Sequence, residues 1–286
     1  MASCVSAVTQ SVGSLGLPTT KVLTMNLELN RVVALITGGS KGIGLACARA
    51  FAVEGARVAI ASRDAGHLRD AASKLRADGL EVQTFEADLR DAAQAEQLVR
   101  SVESAIGPIE VLVNSAGAAQ RTPPTELTAA HWHAAMDAKF FTYVHAMQAV
   151  IGGMAARGSG VIVNVVGTGG KLASPTHLPG GAANAALMLV SAGLANAFAG
   201  KGVRVNAVNP GLVATDRMHE GFAAQARMAG GTVDEVLAQY LRTLPMGRLA
   251  QPEDIASVVL FLSSRHAAYV SGSVLTVDGA ATPLVV

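Results

Sequence analysis

The stretch from Val32 to Gly44 reads VVALITGGSKGIG, and its glycines at Gly38, Gly42 and Gly44 are spaced to cradle a phosphate. A buried strand that runs into a helix start aims several backbone N–H groups at one point, and the helix dipole adds partial positive charge there. Glycines let the chain turn and approach a pyrophosphate with no Cβ in the way. Such a turn is weak evidence alone, but here a β-branched apolar run precedes it and the Ala-rich segment LACARAFA follows from Leu45. A second position bears on the same ligand: the next apolar run, RVAIAS, closes on Ser62 and Arg63. In a dinucleotide-binding chain an acid at that place takes the adenosine ribose hydroxyls and repels a 2′-phosphate. A guanidinium favours the phosphate, and Lys41 adds a second cation, so NADP(H) is expected over NAD(H). Asp64, which follows, is expected to cap a helix over 66–78.

These groups need a scaffold, and the pattern around them supplies one. Strands are expected at Val32–Thr37, Arg57–Ser62, Glu81–Ala87, Ile109–Val113, Val161–Val166 and Val203–Gly211, with a last one closing near Gly279. Between them lie helical patterns: Ala92–Ala105, a long helix capped by Thr128 and running to about Met154, AANAALMLVSAGLANAFA, and Pro252–Ser264 with its leading proline and acids. Strand and helix alternate throughout, which predicts an α/β fold: one Rossmann-type, doubly wound, seven-stranded parallel sheet flanked by helices. The loop GTGGKLASPTHLPGG has no period, and 216–242 reads as a mobile helical insertion broken at Gly230 and Gly231. Residues 1–24 carry no charge before Lys21 and read as a disordered extension, with Met25 as a second candidate start.

With 286 residues, half of them apolar, the chain can bury a large core as one domain. A net charge of +1 and an absence of basic runs argue against a nucleic-acid partner. No apolar segment is expected to span a bilayer. The two cysteines, Cys4 and Cys47, make no disulfide framework, so a cytoplasmic location is expected. No metal site is expected.

From about Met25 to Ala280 the chain resembles the short-chain dehydrogenase/reductase family, especially its 3-oxoacyl-acyl-carrier-protein reductase-like branch. The signatures are TGGSKGIG at Thr37, Asp88 after the third strand, NSAG at Asn114, NPGLVAT at Asn209 and VSGSVLTVDGA at Val270. The resemblance implies that Gly38, Ser40, Lys41, Gly42, Ile43 and Gly44 hold the pyrophosphate side. It places Asp88 and Leu89 at the adenine, Asn114, Ala116 and Gly117 at the adjoining ribose, and Pro210, Gly211, Val213 and Thr215 at the nicotinamide. It also implies a homotetramer built on the long crossover helices and the C-terminal segment.

The family's active site usually combines an Asn on the helix after the fourth strand, a Ser just after the fifth, and Tyr-x-x-x-Lys opening the next helix. In those places this chain has Lys139, Gly167 with Thr168 beside it, Gly180 and Asn184. The tyrosines are Tyr143, Tyr240 and Tyr269, and no lysine lies between Lys171 and Lys201, so no shift of the alignment restores the set. Losing the acid of a general acid–base pair costs about 10²- to 10⁴-fold unless another group replaces it.

Lys139 and His177 are the candidate substitutes. The resemblance points Lys139 at the space between cofactor and substrate, and burial, which disfavours a charged ammonium, would make it a usable acid. His177 stands three residues before Gly180, and an imidazole titrates near neutrality, at about 6.5. The bland alternatives are a solvated loop histidine and a surface lysine. Asn184, in the lysine's place, would fall beside the cofactor ribose. Gly167 and Gly180 should widen the pocket toward a bulky small-molecule substrate.

The expected activity is NADP(H)-dependent reduction of a carbonyl or imine, or the reverse alcohol oxidation, with a non-standard proton donor. Two other readings stand beside it: a lyase, isomerase or hydrolase on the same scaffold, and a catalytically silent NADPH-binding subunit that partners an active relative.

Overall fold

Seven strands make up the sheet: β1 (Val33–Thr37), β2 (Arg57–Ser62), β3 (Val82–Glu86), β4 (Val111–Asn114), β5 (Gly160–Val165), β6 (Val203–Pro210) and β7 (Val274–Val277). All pair in parallel in the order β3-β2-β1-β4-β5-β6-β7. The chain thus starts in the middle, winds to one edge, and returns beside β1 to wind to the other. That reversal leaves a crevice beyond the C-terminal ends of β1 and β4, where α/β sheets bind ligands. The computed structural model describes residues 26–117, 119–216, 218, 222–223, 225–226 and 230–284. The expected extension over 1–24, and 217, 219–221, 224 and 227–229 of the expected insertion, lie outside the described residues.

The crossovers are α1 (Gly42–Val53), α2 (Ala65–Ala77), α3 (Ala92–Ile106), α4 (Ala129–Ala135), α5 (Thr142–Arg157), α6 (Leu178–Phe198), α7 (Val233–Thr243) and α8 (Pro252–Ser263). Helices on both faces make the central strands apolar throughout, and each residue of β1 is buried. Period-two alternation splits the core: Leu35 packs with the α3, α5 and α6 layer, Ala34 and Ile36 with the α1, α2 and α8 layer. Asp64 caps α2, its Oδ1 accepting from the His67 N–H at 2.8 Å.

Three expectations need correction. The long helix expected from Thr128 to Met154 is not uniform: a π-helical turn, Met136–Phe141, joins α4 to α5, which runs on to Arg157. One extra residue in a turn is invisible to a 3.6-residue count, and such turns occur at functional sites. The fourth strand begins at Val111 and includes Asn114, which is therefore interior and fully buried. Finally, one segment, Pro175–Lys201, is long and apolar enough to cross a membrane by length and composition, with a mean hydropathy of 1.5. Its many small residues sum to that value, yet in the fold it is the crossover between β5 and β6, with Ala183, Leu187, Met188 and Ala195 buried.

Candidate functional site

The glycine turn is built to be bare. Gly38 (φ 65°) and Gly42 (φ 51°) occupy the left-handed region. A Cβ on Gly38 would lie 2.7 Å from Ala116 Cα, and one on Gly44 would lie 2.2 Å from the Gly38 carbonyl oxygen. Lys41 is the N-cap of α1 and makes no side-chain cap, and no acid stands in the first turn, so an anion is the natural partner for the N–H groups there. Gly42 faces Thr215 across the crevice, with 3.3 Å from a Cβ to Thr215 Cγ2.

At the end of β2, Ser62 Oγ accepts from the Asp64 N–H at 3.4 Å, and Arg63 is exposed. Lys41 Nζ stands 2.8 Å from His67 Nε2, a neighbour that the sequence reading missed although the three-residue spacing from its cap, Asp64, was there to see. The His67 N–H, then the His67 imidazole and Lys41, hold the Asp64 carboxyl below its usual range. Arg90 pairs with Asp88 and is the main cause of that carboxyl's lowered pKa, with Arg63 contributing. Leu89 is buried, its carbonyl oxygen 2.9 Å from His145 Nδ1.

Asn114 works inside the protein. Thr37 Oγ1 donates to Asn114 Oδ1 (3.1 Å), Asn114 Nδ2 donates to Asn164 Oδ1 (3.0 Å), and Asn164 Nδ2 donates to Ser191 Oγ (2.9 Å). This buried chain ties β1, β4, β5 and α6 into one rigid floor, and it leaves ligand contact here to the backbone that follows. Gly117 shows how close that backbone runs to the π turn: a Cβ on it would fall 1.9 Å from the Ala138 carbonyl oxygen.

Beyond this floor opens a cleft of about 940 Å³, whose wall unites Ile43, Gly117, Lys139, His177, Asn184, Pro210, Gly211, Val213 and Thr215. Lys139 rises from the π turn and is 8% exposed, so it is not a surface lysine. Its Nζ donates to Val165 O (3.1 Å) and to Tyr143 Oη (2.8 Å), while Tyr143, wholly buried, donates its own proton to Val165 O at 2.5 Å. The ammonium is thus pinned at the cleft floor, and Tyr143 is sealed behind it.

His177 ends a short turn, Pro175–His177, in which its N–H donates to Ser174 O at 2.9 Å. Its ring folds back over Gly180: a Cβ there would lie 2.2 Å from Cε1 and 2.6 Å from Nε2. On the other side a Cβ on Gly169 would lie 3.1 Å from Cδ2. The imidazole is therefore wedged between the loop after β5 and the first turn of α6. Gly180 does not widen the pocket as expected; the histidine ring takes the space. Gly167 (φ 132°) needs glycine for its backbone, and a Cβ on it would lie 3.1 Å from Asn184 Nδ2. Asn184 is 5% exposed and its Oδ1 has no hydrogen-bond partner among the described residues. A buried acceptor left this way costs about 1–3 kcal/mol, so the site fits a ligand hydroxyl at that point, as a ribose would provide. The bare turn and the orphan acceptor together fit a dinucleotide lying across the switch point.

Comparison with known proteins places the chain in a family. A family model described as Enoyl-(Acyl carrier protein) reductase matches residues 38–282. The chain is 37% identical over 260 residues to 2-(S)-hydroxypropyl-CoM dehydrogenase 3 of Xanthobacter autotrophicus, covering 91% of this chain and all of that one. It is 32% identical over 258 residues to a 3-oxoacyl-acyl-carrier-protein reductase of Chlamydia muridarum, covering 89% and 99%. L-sorbose reductase from Gluconobacter frateurii, solved with NADPH and L-sorbose, superposes with a TM-score of 0.84 at 30% identity, over 91% of this chain and all of that one. A 7α-hydroxysteroid dehydrogenase solved with NADH gives 0.80 at 28%, over 89% and 95%. With its sheet order, its glycine turn and relatives matched end to end, the chain belongs to the short-chain dehydrogenase/reductase family.

Proposed function

We propose that this chain is an NADP(H)-dependent oxidoreductase that reduces a carbonyl or imine, or oxidises the corresponding alcohol, with His177 moving the proton. The observation that carries the reading is the imidazole packed over Gly180, where the Cβ of a side chain at the family's tyrosine position would lie. The nicotinamide, when bound, supplies or takes the hydride. His177 gives a proton to the carbonyl oxygen or imine nitrogen during reduction and takes it back during oxidation, a task suited to an imidazole at neutral pH. Lys139, pinned by Val165 O and Tyr143, places positive charge on the cleft floor where negative charge builds on that oxygen. Asn184 would hold a ribose hydroxyl, and Pro210, Gly211, Val213 and Thr215 would flank the nicotinamide. The names of the relatives, dehydrogenases and reductases, support redox chemistry, and neighbours solved with NADPH and with NADH support a nicotinamide cofactor.

Preference for the 2′-phosphate rests on Arg63 and Lys41, with His67 beside Lys41; Asp64 is occupied in capping α2. A homotetramer through α5 and α6 is part of the same reading. It is supported by the outward apolar surface of α6, where Leu189 is 76% exposed, and light scattering tests it. The activity test follows NADPH oxidation against a panel of ketones and imines with wild type and His177→Ala. Turnover that requires NADPH and falls at least about 10²-fold in the variant is expected. Product formed without any nicotinamide, or an unaltered rate in the variant, would overturn the reading.

A further inference from the structure

One strongly basic group in the cleft has no task in this reading. Arg121 stands at the rim, on the loop between β4 and α4, and lines the same cleft as His177. The Thr122 N–H donates to Thr176 O at 3.0 Å, tying that loop to the turn that carries His177, and Arg121 Nη1 reaches Thr176 Oγ1 at 3.4 Å. Among the described residues of the lining, Arg121 is the arginine and Lys139 the lysine, and no Asp or Glu is present. Lys139 is engaged with Val165 O and Tyr143, whereas Arg121 makes no ion pair among the described residues.

Two titratable groups share this corner. Tyr240 lines the cleft, and burial, then Asp278, push its hydroxyl up while Arg121 opposes them. Asp278 packs against Gly211, where its Cβ would meet a Cβ at 2.7 Å, and does not line the cleft. Partial burial disfavours the charge of Arg121, although the residue as a whole is exposed. A partly desolvated guanidinium with no carboxylate partner among the described residues is completed by an oxyanion, which it can grip with two parallel N–H donors. The rings of Phe222 and Tyr240, which line the same cleft with centroids 5.8 Å apart, suit a carbon chain.

We propose that the substrate carries an anionic carboxylate-like tail and that Arg121 binds it, orienting the molecule so that its carbonyl meets His177. The anion site stands independently of the chemistry; only the position of the carbonyl rests on the reductase reading. The test pairs a series of 2-oxo to 5-oxo carboxylates with their methyl esters. Each is titrated calorimetrically into the NADPH-loaded chain and into the chain alone, with NADPH oxidation followed in parallel.

At least one acid should bind about tenfold or more tightly than its ester, as a charge-assisted contact provides. Arg121→Gln should erase that difference by weakening the acid alone, Arg121→Lys should restore part of it, and NADPH affinity should stay unchanged in both. In turnover the loss should fall on KM for acids and leave esters untouched. Equal binding of acid and ester, no acid bound at all, or equal weakening of both by Arg121→Gln overturns the anion site. Acids that bind selectively without NADPH being oxidised overturn the reductase reading and leave the anion site standing.

Discussion

Gly180→Ala is a one-methyl change whose consequences follow from the packing of His177. The new Cβ would fall 2.2 Å from Cε1 and 2.6 Å from Nε2, far inside van der Waals contact, and 2.8 Å from Ala119 Cβ. The ring must therefore shift by about 1 Å or more, since carbon atoms pack at roughly 3.5–4.0 Å. Stability should fall by no more than about 2.5 kcal/mol, because Gly to Ala in a helix gains about 0.5–1 kcal/mol and overpacking costs about 1–3 kcal/mol. Catalysis should change far more, because a displacement of about 1 Å in a reacting group can cost about 10²-fold.

The assay is a double-mutant cycle on kcat for NADPH oxidation with the best ketone of the panel, with thermal melting as the control. Gly180→Ala alone should lose roughly 10²-fold, His177→Ala alone about 10²- to 10⁴-fold, and the double variant no more than His177→Ala, because the methyl then has no ring to displace and presses only on Ala119. A fully active, well-folded Gly180→Ala, or losses in the two variants that simply multiply, would refute the placement of the proton donor.

Arg63→Ala should weaken NADPH by about 10-fold or more and leave NADH nearly unchanged, as read by fluorescence titration, because only the 2′-phosphate loses its partner. Lys139→Met should lower kcat by at least about tenfold without lowering the melting temperature much, since a buried charge is replaced by an apolar chain of similar length. Asp254 has its carboxyl lowered to about 2, chiefly by Arg248 and then by the Gln251 N–H, so its stabilisation is present above the unfolded carboxylate range and is lost as pH falls toward 2. Because the pair is largely exposed, Asp254→Asn should cost about 1 kcal/mol or less at pH 7, and the difference should vanish near pH 2 in urea unfolding.

The amino-acid sequence by itself determined the fold and the bare glycine turn, since both depend on local signals. Alternating β-branched runs and Ala-rich helices specify the parallel sheet, and Gly38, Gly42 and Gly44 are needed wherever a backbone must turn and approach without a Cβ. Asp64 as a helix cap was legible for the same reason, because a cap and its N–H lie three residues apart. What the tertiary structure decided lies across long separations. Periodicity could not show the π turn that presents Lys139 to Val165 O, nor that Asn114 is spent on Thr37 and Asn164 in the interior. Nor could it show that the empty space at Gly180 is filled by His177, or that Arg121 lines the same cleft, because a vacancy in a motif reveals nothing of which distant side chain folds into it.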